Sequence, residues 1–162
     1  MILIDTSAWI EYFRATGSAA AGEVRRLVGV ETDRVAMCEP IAMEILAGAT
    51  DDSTHAKLEQ LVNGLPSLSV DTAVDFRSAA AIYRAARNSG RTIRSITDCL
   101  IAAIAIRHAA RVVHQDADFD VIAAKGASMV WSPFSNLLLY GKTTNIGAAA
   151  AAAVPTSARK PE

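Results

Sequence analysis

A chain of 162 residues is of single-domain size, long enough to bury about 70% of its unfolded surface and to fold without disulfides or a structural metal. Its 16 Lys+Arg against 17 Asp+Glu give a net charge of −1, which excludes a uniformly basic nucleic-acid binder and leaves room for a local basic patch. At 51% apolar and 20% charged the composition is globular, and the longest clean apolar run, Cys99 to Ile106, falls far short of the roughly 20 residues of a membrane span.

Met1-Ile2-Leu3-Ile4 lacks the cationic start of a secretory leader and predicts a short buried strand. Thr6 or Ser7 caps a helix through about Arg14, with Trp9, Ile10, Tyr12 and Phe13 on its apolar face. A second helix covers about Ser18 to Val28, and Arg34 to Met37 is a second buried strand. Pro40 suits the first turn of a helix that stops at Gly48. Ser53 opens the next, with Leu58, Leu61 and Val62 in period and a stop at Gly64 and Pro66. Leu68 to Val70 is a predicted short strand. Asp71 or Thr72 then caps a long helix ending near Gly90, and Ser95 caps an apolar helix through His108. Arg111 to His114 is the next strand and Asp118 to Ala124 a short helix. The alternation predicts an α/β fold, a parallel β-sheet flanked by helices on both faces. The expected domain spans residues 1–140, and 141–162, with six consecutive alanines, is expected to be a flexible tail. Cys38 and Cys99 fall in no Cys/His ligand spacing, as suits a reducing compartment; the expected location is the cytoplasm.

Four carboxylates stand in unusual surroundings. Asp5 directly follows the first strand and Asp116 follows Arg111-Val112-Val113-His114, so both lie at strand carboxyl ends, where open parallel sheets bind ligands. Glu44 is enclosed by Ile41-Ala42-Met43 and Ile45-Leu46, and Asp98 sits in the first turn of an apolar helix. Each has an ordinary reading on its own. Ser95-x-x-Asp98 resembles a capping pair, Glu44 can point to solvent, and Asp116-Ala117-Asp118-Phe119-Asp120 can be an acidic turn. Together they form a pattern: converging carboxylates cannot all stay ionised without a compensating charge. An all-oxygen set with no placed Cys or His favours Mg²⁺ or Mn²⁺ over Zn²⁺, and such a metal supports phosphodiester hydrolysis.

Ile2-Leu3-Ile4-Asp5-Thr6-Ser7, Pro40-Ile41-Ala42-Met43-Glu44, Thr97-Asp98-Cys99-Leu100-Ile101-Ala102-Ala103 and His114-Gln115-Asp116-Ala117-Asp118-Phe119 resemble, in order, the four blocks of PIN-domain ribonucleases. The form is that of the VapC toxins of bacterial type II toxin–antitoxin modules, and the resemblance covers about residues 1–125. It implies a PIN-like α/β/α sandwich and a Mg²⁺-dependent endoribonuclease, with Mn²⁺ able to substitute, that cleaves RNA phosphodiester bonds with metal-activated water. Asp5, Glu44, Asp98 and Asp116 would be the catalytic quartet; Asp5, Asp98, Asp116 and Asp118 would hold the metal. Thr6 would steady the site or contact substrate, and Glu44, in the most apolar setting, would orient or deprotonate the water. The resemblance also implies a homodimer, a small cognate antitoxin that blocks the site, and a heterotetramer or larger assembly with it. Ser128-Met129-Val130-Trp131 is the candidate for the last strand of such a fold.

Arg84, Arg87, Arg91 and Arg94 place four guanidinium groups on the approach to Asp98. They are either a phosphate-binding patch or a solvated helix end, and Arg94, nearest Asp98, is the expected substrate contact. His55, His108 and His114 form no ligand spacing, and Trp9, Tyr12 and Phe13 at this spacing are expected in the core rather than stacked on a base. A phosphorelay receiver would need an acidic pair after the first strand and a lysine after a late one, whereas Thr6-Ser7 follows Asp5 and no lysine follows Val113. A haloacid-type phosphohydrolase would need Asp where Ser7 stands. A housekeeping RNA-processing nuclease of the same fold, and a catalytically silent dimerisation module, stay open.

Overall fold

The computed structural model describes residues 1–129, with side chains through Ala124, and the backbone of 139–140. Four strands, β1 (Ile2–Ile4), β2 (Val35–Ala36), β3 (Arg111–Val113) and β4 (Leu139–Tyr140), form a parallel sheet in the order β2-β1-β3-β4. In register, Ile2 lies between Val35 and Arg111, and Ile4 opposite Val113. Successive strand residues point to opposite faces, yet Ile2, Leu3 and Ile4 are all at most 2% exposed, so both faces of the sheet are covered. This is the predicted α/β architecture.

Seven α-helices make the crossovers: α1 (Thr6–Phe13), α2 (Ala19–Val30), α3 (Glu39–Ala47), α4 (Asp52–Asn63), α5 (Asp75–Asn88), α6 (Ile96–Arg107) and α7 (Ala117–Met129). The apolar run predicted from sequence is α6, a central helix that buries Cys99 and everything from Ile101 to Ala105. α5 packs along it, and the two are stapled at one end. Asp75, fully buried in the first turn of α5, receives two hydrogen bonds from Arg107 in the last turn of α6, Nε at 2.9 Å and Nη2 at 2.7 Å. Among the described residues no helix is long and apolar enough to cross a membrane.

Three helices end alike, with a left-handed residue and paired backbone bonds that satisfy the last carbonyls. After α5 that residue is Gly90 (φ +72°), after α1 it is Ala15 (φ +50°) and after α6 it is Ala109 (φ +48°). At Ala109 the bonds run from Ala109 N–H to Ile106 O and from Ala110 N–H to Ala105 O. An alanine there costs roughly 1–2 kcal/mol relative to its relaxed backbone.

Several boundaries differ from expectation. Asp5, not Thr6 or Ser7, is the N-cap of α1, and α4, capped by Asp51, starts at Asp52, one residue before Ser53. Leu68 to Val70 is not a strand. Ser67 makes one parallel bridge with Met37, after which side chains take the donors: Val70 N–H goes to Glu39 Oε2 (2.9 Å) and Asp71 N–H to Asp75 Oδ2 (2.8 Å). Asp71, expected with Thr72 as a cap of α5, holds a turn ahead of it instead, accepting from Ala73 N–H (2.9 Å) and Asp75 N–H (2.8 Å), and α5 starts at Asp75. α7 runs past Ala124 and through Gly126 to Met129, with Ala123, Ala124 and Ala127 as good helix formers on either side of the glycine. Ser128 and Met129, expected in the last strand, are therefore helical, and the fourth strand is Leu139–Tyr140; Val130 and Trp131 lie outside the described residues. So does the expected tail, 141–162.

Candidate active site

The site is built at the carboxyl end of the two central strands. Asp5 ends β1, its N–H continuing the ladder to Val113 O at 2.8 Å. Its carboxylate caps α1 by accepting from Ser7 N–H (2.9 Å) and from the Ser7 hydroxyl. Ser7 Oγ in turn accepts from Gln115 N–H at 2.9 Å, which ties the loop after β3 to the start of α1. Burial raises the pKa of Asp5 above the ordinary carboxylate value, against the opposing effects of Ser7 and His114.

Glu44, on the inner side of α3, is half-buried, and Thr6 donates from Oγ1 to its Oε2 at 2.6 Å. Its pKa is also raised, by burial first and by the charge of Asp5, while the Thr6 bond works the other way. Asp98 is 8% exposed in the first turn of α6, and its carboxylate has no hydrogen bond or ion pair among the described residues. Burial, then repulsion from Asp5, Asp116, Asp118 and Glu44, pushes its carboxyl up to about 7. The other four predicted acids therefore all act on Asp98.

The tightest group is Asp98, Asp116 and Asp118, whose carboxylate oxygens lie within 4.8 Å of one another. Asp5 and Glu44 stand outside it and act on it through charge. Arg94 holds the far side of the group. Its Nη2 lies 2.6 Å from Asp116 Oδ1, its Nε 3.4 Å from Asp118 Oδ1, and its backbone N–H donates to Asp118 Oδ2 at 2.7 Å. The Arg94 side chain remains 69% exposed. Asp116 Oδ1 also accepts from Asp118 N–H at 2.9 Å, fixing the first turn of α7. His114 is a strand-end histidine: Nδ1 bonds Asp116 O at 2.9 Å and the ring packs on Phe119. Asp120 is exposed, away from this arrangement.

An all-carboxylate set with one arginine is under-neutralised, and its hard oxygen donors suit a divalent cation. Ser7 is the positioning residue that sequence reasoning missed. Its signal was available, since a serine two residues after a cap aspartate can share the cap. Trp9 is buried as expected, but Phe13 is 47% exposed and stacks on Trp9 at 5.5 Å between ring centroids. Both line a groove of about 580 Å³ with Ile10, Ile45, Leu58 and Leu61, and Thr6 and Glu44 form part of the same wall.

The PIN domain family model matches residues 2–125. The VapC ribonuclease Mb1587 of Mycobacterium bovis and Ribonuclease VapC11 of Mycobacterium tuberculosis are each 76% identical over 123 residues, covering 76% of this chain and 92% of theirs. Among solved structures, VapBC2 from Rickettsia felis bound to promoter DNA superposes with TM-score 0.61 at 16% identity, covering 88% of this chain and 99% of that one. FitAB bound to an IR36 DNA fragment gives TM-score 0.62 at 22% identity, covering 87% and 94%. The chain belongs to the PIN domain family.

Proposed function

We propose that this chain is a metal-dependent endoribonuclease, the toxin of a toxin–antitoxin pair acting in the cytoplasm. The observation that carries the reading is the group Asp98, Asp116 and Asp118, with oxygens within 4.8 Å and a single arginine as counter-charge. The ribonuclease names of relatives at 76% identity support it. Asp5, Asp98, Asp116 and Asp118 would hold Mg²⁺, or Mn²⁺ in its place, since the donors are all hard oxygens. A bound cation of this kind supplies an activated water and charge stabilisation at phosphate.

The remaining steps fall to the protein's own groups. Thr6 holds one oxygen of Glu44 and leaves the other to accept a proton, and the raised pKa of Glu44 makes it a better base than a free carboxylate. Asp116 and Asp118 keep Arg94 at the rim, where its exposed side chain matches a phosphate of a single-stranded RNA. The likeness to VapBC and FitAB assemblies supports a small antitoxin partner, and the apolar groove that shares Thr6 and Glu44 with the site is where such a partner would block it. We place a homodimer beneath this assembly.

The test is incubation of purified wild-type and Asp98→Asn protein with a mixed RNA pool, with Mg²⁺ and with EDTA. Cleavage by wild type with metal, lost on the order of 10³-fold in Asp98→Asn, is the expected result. Equal rates for the two proteins overturn the assignment, and a folded wild type that neither cleaves nor binds Mn²⁺ favours the silent dimerisation module.

A further inference from the structure

Five of the arginines, Arg26, Arg34, Arg94, Arg107 and Arg111, are paired with carboxylates. Arg77, Arg84, Arg87 and Arg91 are all exposed, and their side chains have no hydrogen bond or ion pair among the described residues. Three of these belong to one helix, α5. Arg77 and Arg84 are seven residues apart and Arg87 three further on, so at about 100° per residue all three fall within an arc of about 80°. At about 1.5 Å of rise per residue they cover about 15 Å of that face. The other exposed residues on it are Phe76, Ala80, Ala81 and Asn88, none of them acidic, and the helix's one acid, Asp75, is fully buried on Arg107. A neutral chain thus carries one concentrated positive face.

The face leads to the acidic site. Gly90, in the left-handed region, donates its N–H to Arg87 O at 2.9 Å, and Arg91 N–H closes on Ala86 O at 3.1 Å. That turn fixes Arg91 at the helix end, and three residues later Arg94 is seated on Asp116 and Asp118. An anionic strand approaching clustered carboxylates is repelled unless cations lead it in. Resting on the ribonuclease reading, we propose that the exposed face of α5 (Arg77, Arg84 and Arg87), continued by Arg91 in the turn after it, is the track on which the phosphate backbone of single-stranded RNA lies on its way to the acidic site. Guanidinium forks match phosphate oxygens, Ala80 and Ala81 let a backbone come close, and the exposed Phe76 ring at the far end offers a stacking surface for a base.

The experiment is fluorescence anisotropy of a labelled oligo(U) strand with the full chain in EDTA, repeated over a KCl series. The variant is Arg84→Gln/Arg87→Gln/Arg91→Gln. Its control, Arg14→Gln/Arg25→Gln/Arg34→Gln, removes the same charge from exposed positions elsewhere. Each single-strand phosphate contact contributes about 0.7 to the slope of log K against log salt, so the triple variant should lower that slope by about 2 and weaken binding at least about tenfold at low salt. The control should leave the slope unchanged, and Mn²⁺ affinity and the circular dichroism spectrum should match wild type in both. An unchanged slope in the triple variant, with wild type still cleaving RNA, overturns the track and leaves the nuclease reading standing. A change in oligomeric size with RNA binding unaltered also overturns it, making α5 a protein contact. A wild type that neither cleaves RNA nor binds oligo(U) in a salt-dependent way removes the nuclease reading and the track with it.

Discussion

The two ends of α6 hold the same pair of residue types in opposite conditions. At the C-terminal end Arg107 meets Asp75, which is fully buried, and two guanidinium hydrogen bonds plus Asp71 N–H outweigh the desolvation and keep its pKa below the ordinary value. At the N-terminal end Asp98 is nearly as buried, yet its carboxylate has no partner among the described residues and is pushed up to about 7, while the nearby arginine is engaged by Asp116 and Asp118. Burial is similar, so pairing decides the outcome. One end is a neutral staple that needs nothing more; the other is a surplus of negative charge that a cation would relieve.

The strongest way to break the contrast is at the staple. Arg107→Ala leaves a fully buried carboxylate without its counter-charge, and urea unfolding should show a loss of about 3–5 kcal/mol, whereas joint replacement of Asp75 and Arg107 by leucine and methionine should lose far less. The site end should respond in the opposite sense. A carboxyl whose pKa is raised on folding stabilises the protein below its unfolded pKa, and that contribution fades as pH rises through the folded value. Without divalent cation, therefore, thermal stability should fall between about pH 4 and 7 on account of Asp98. Asp98→Asn should remove that part of the slope and raise stability at neutral pH by about 2 kcal/mol. Asp75 works the other way, losing its contribution as pH falls below the usual carboxylate range. A wild-type profile that coincides with that of Asp98→Asn would refute the charge surplus.

A milder change sharpens the comparison. Arg94→Ala frees Asp116 and Asp118, so Mn²⁺ should bind several-fold more tightly while RNA affinity in EDTA drops about tenfold. Isothermal titration and anisotropy measure the two separately; a fall in both affinities would mean that Arg94 builds the site rather than competing for it. The smallest effect belongs at the close of α6. Ala109→Gly relieves a left-handed alanine and should add about 0.5–1 kcal/mol, read as a higher denaturant midpoint, with cleavage unchanged.

Local signals carried the strand and helix order and the acids themselves. Ile-Leu-Ile before Asp5 and Val-Val-His before Asp116 place both carboxylates at strand ends, and the structure has them there. What local signals do not carry is which distant groups meet. Asp118, expected among the metal-holding acids but outside the catalytic quartet, belongs to the tightest group because α7 starts at Ala117 and its first turn faces Arg94 and Asp98. The Ser7 bond to Gln115 joins residues 108 apart, and Glu39 intercepts a donor 31 residues away and thereby prevents a strand. Propensity is a property of a window; these contacts are properties of the closed sheet.

The central position of β1 has a consequence in time. The strand made first is paired with one made near the end of the domain, and Asp5 N–H waits for Val113 before its ladder partner exists. A ribosome carrying this chain holds Asp5 and Glu44 long before Asp98, Asp116 and Asp118 have been added. An unfinished copy therefore cannot carry the complete acidic group, which is assembled only when synthesis of the domain is nearly over.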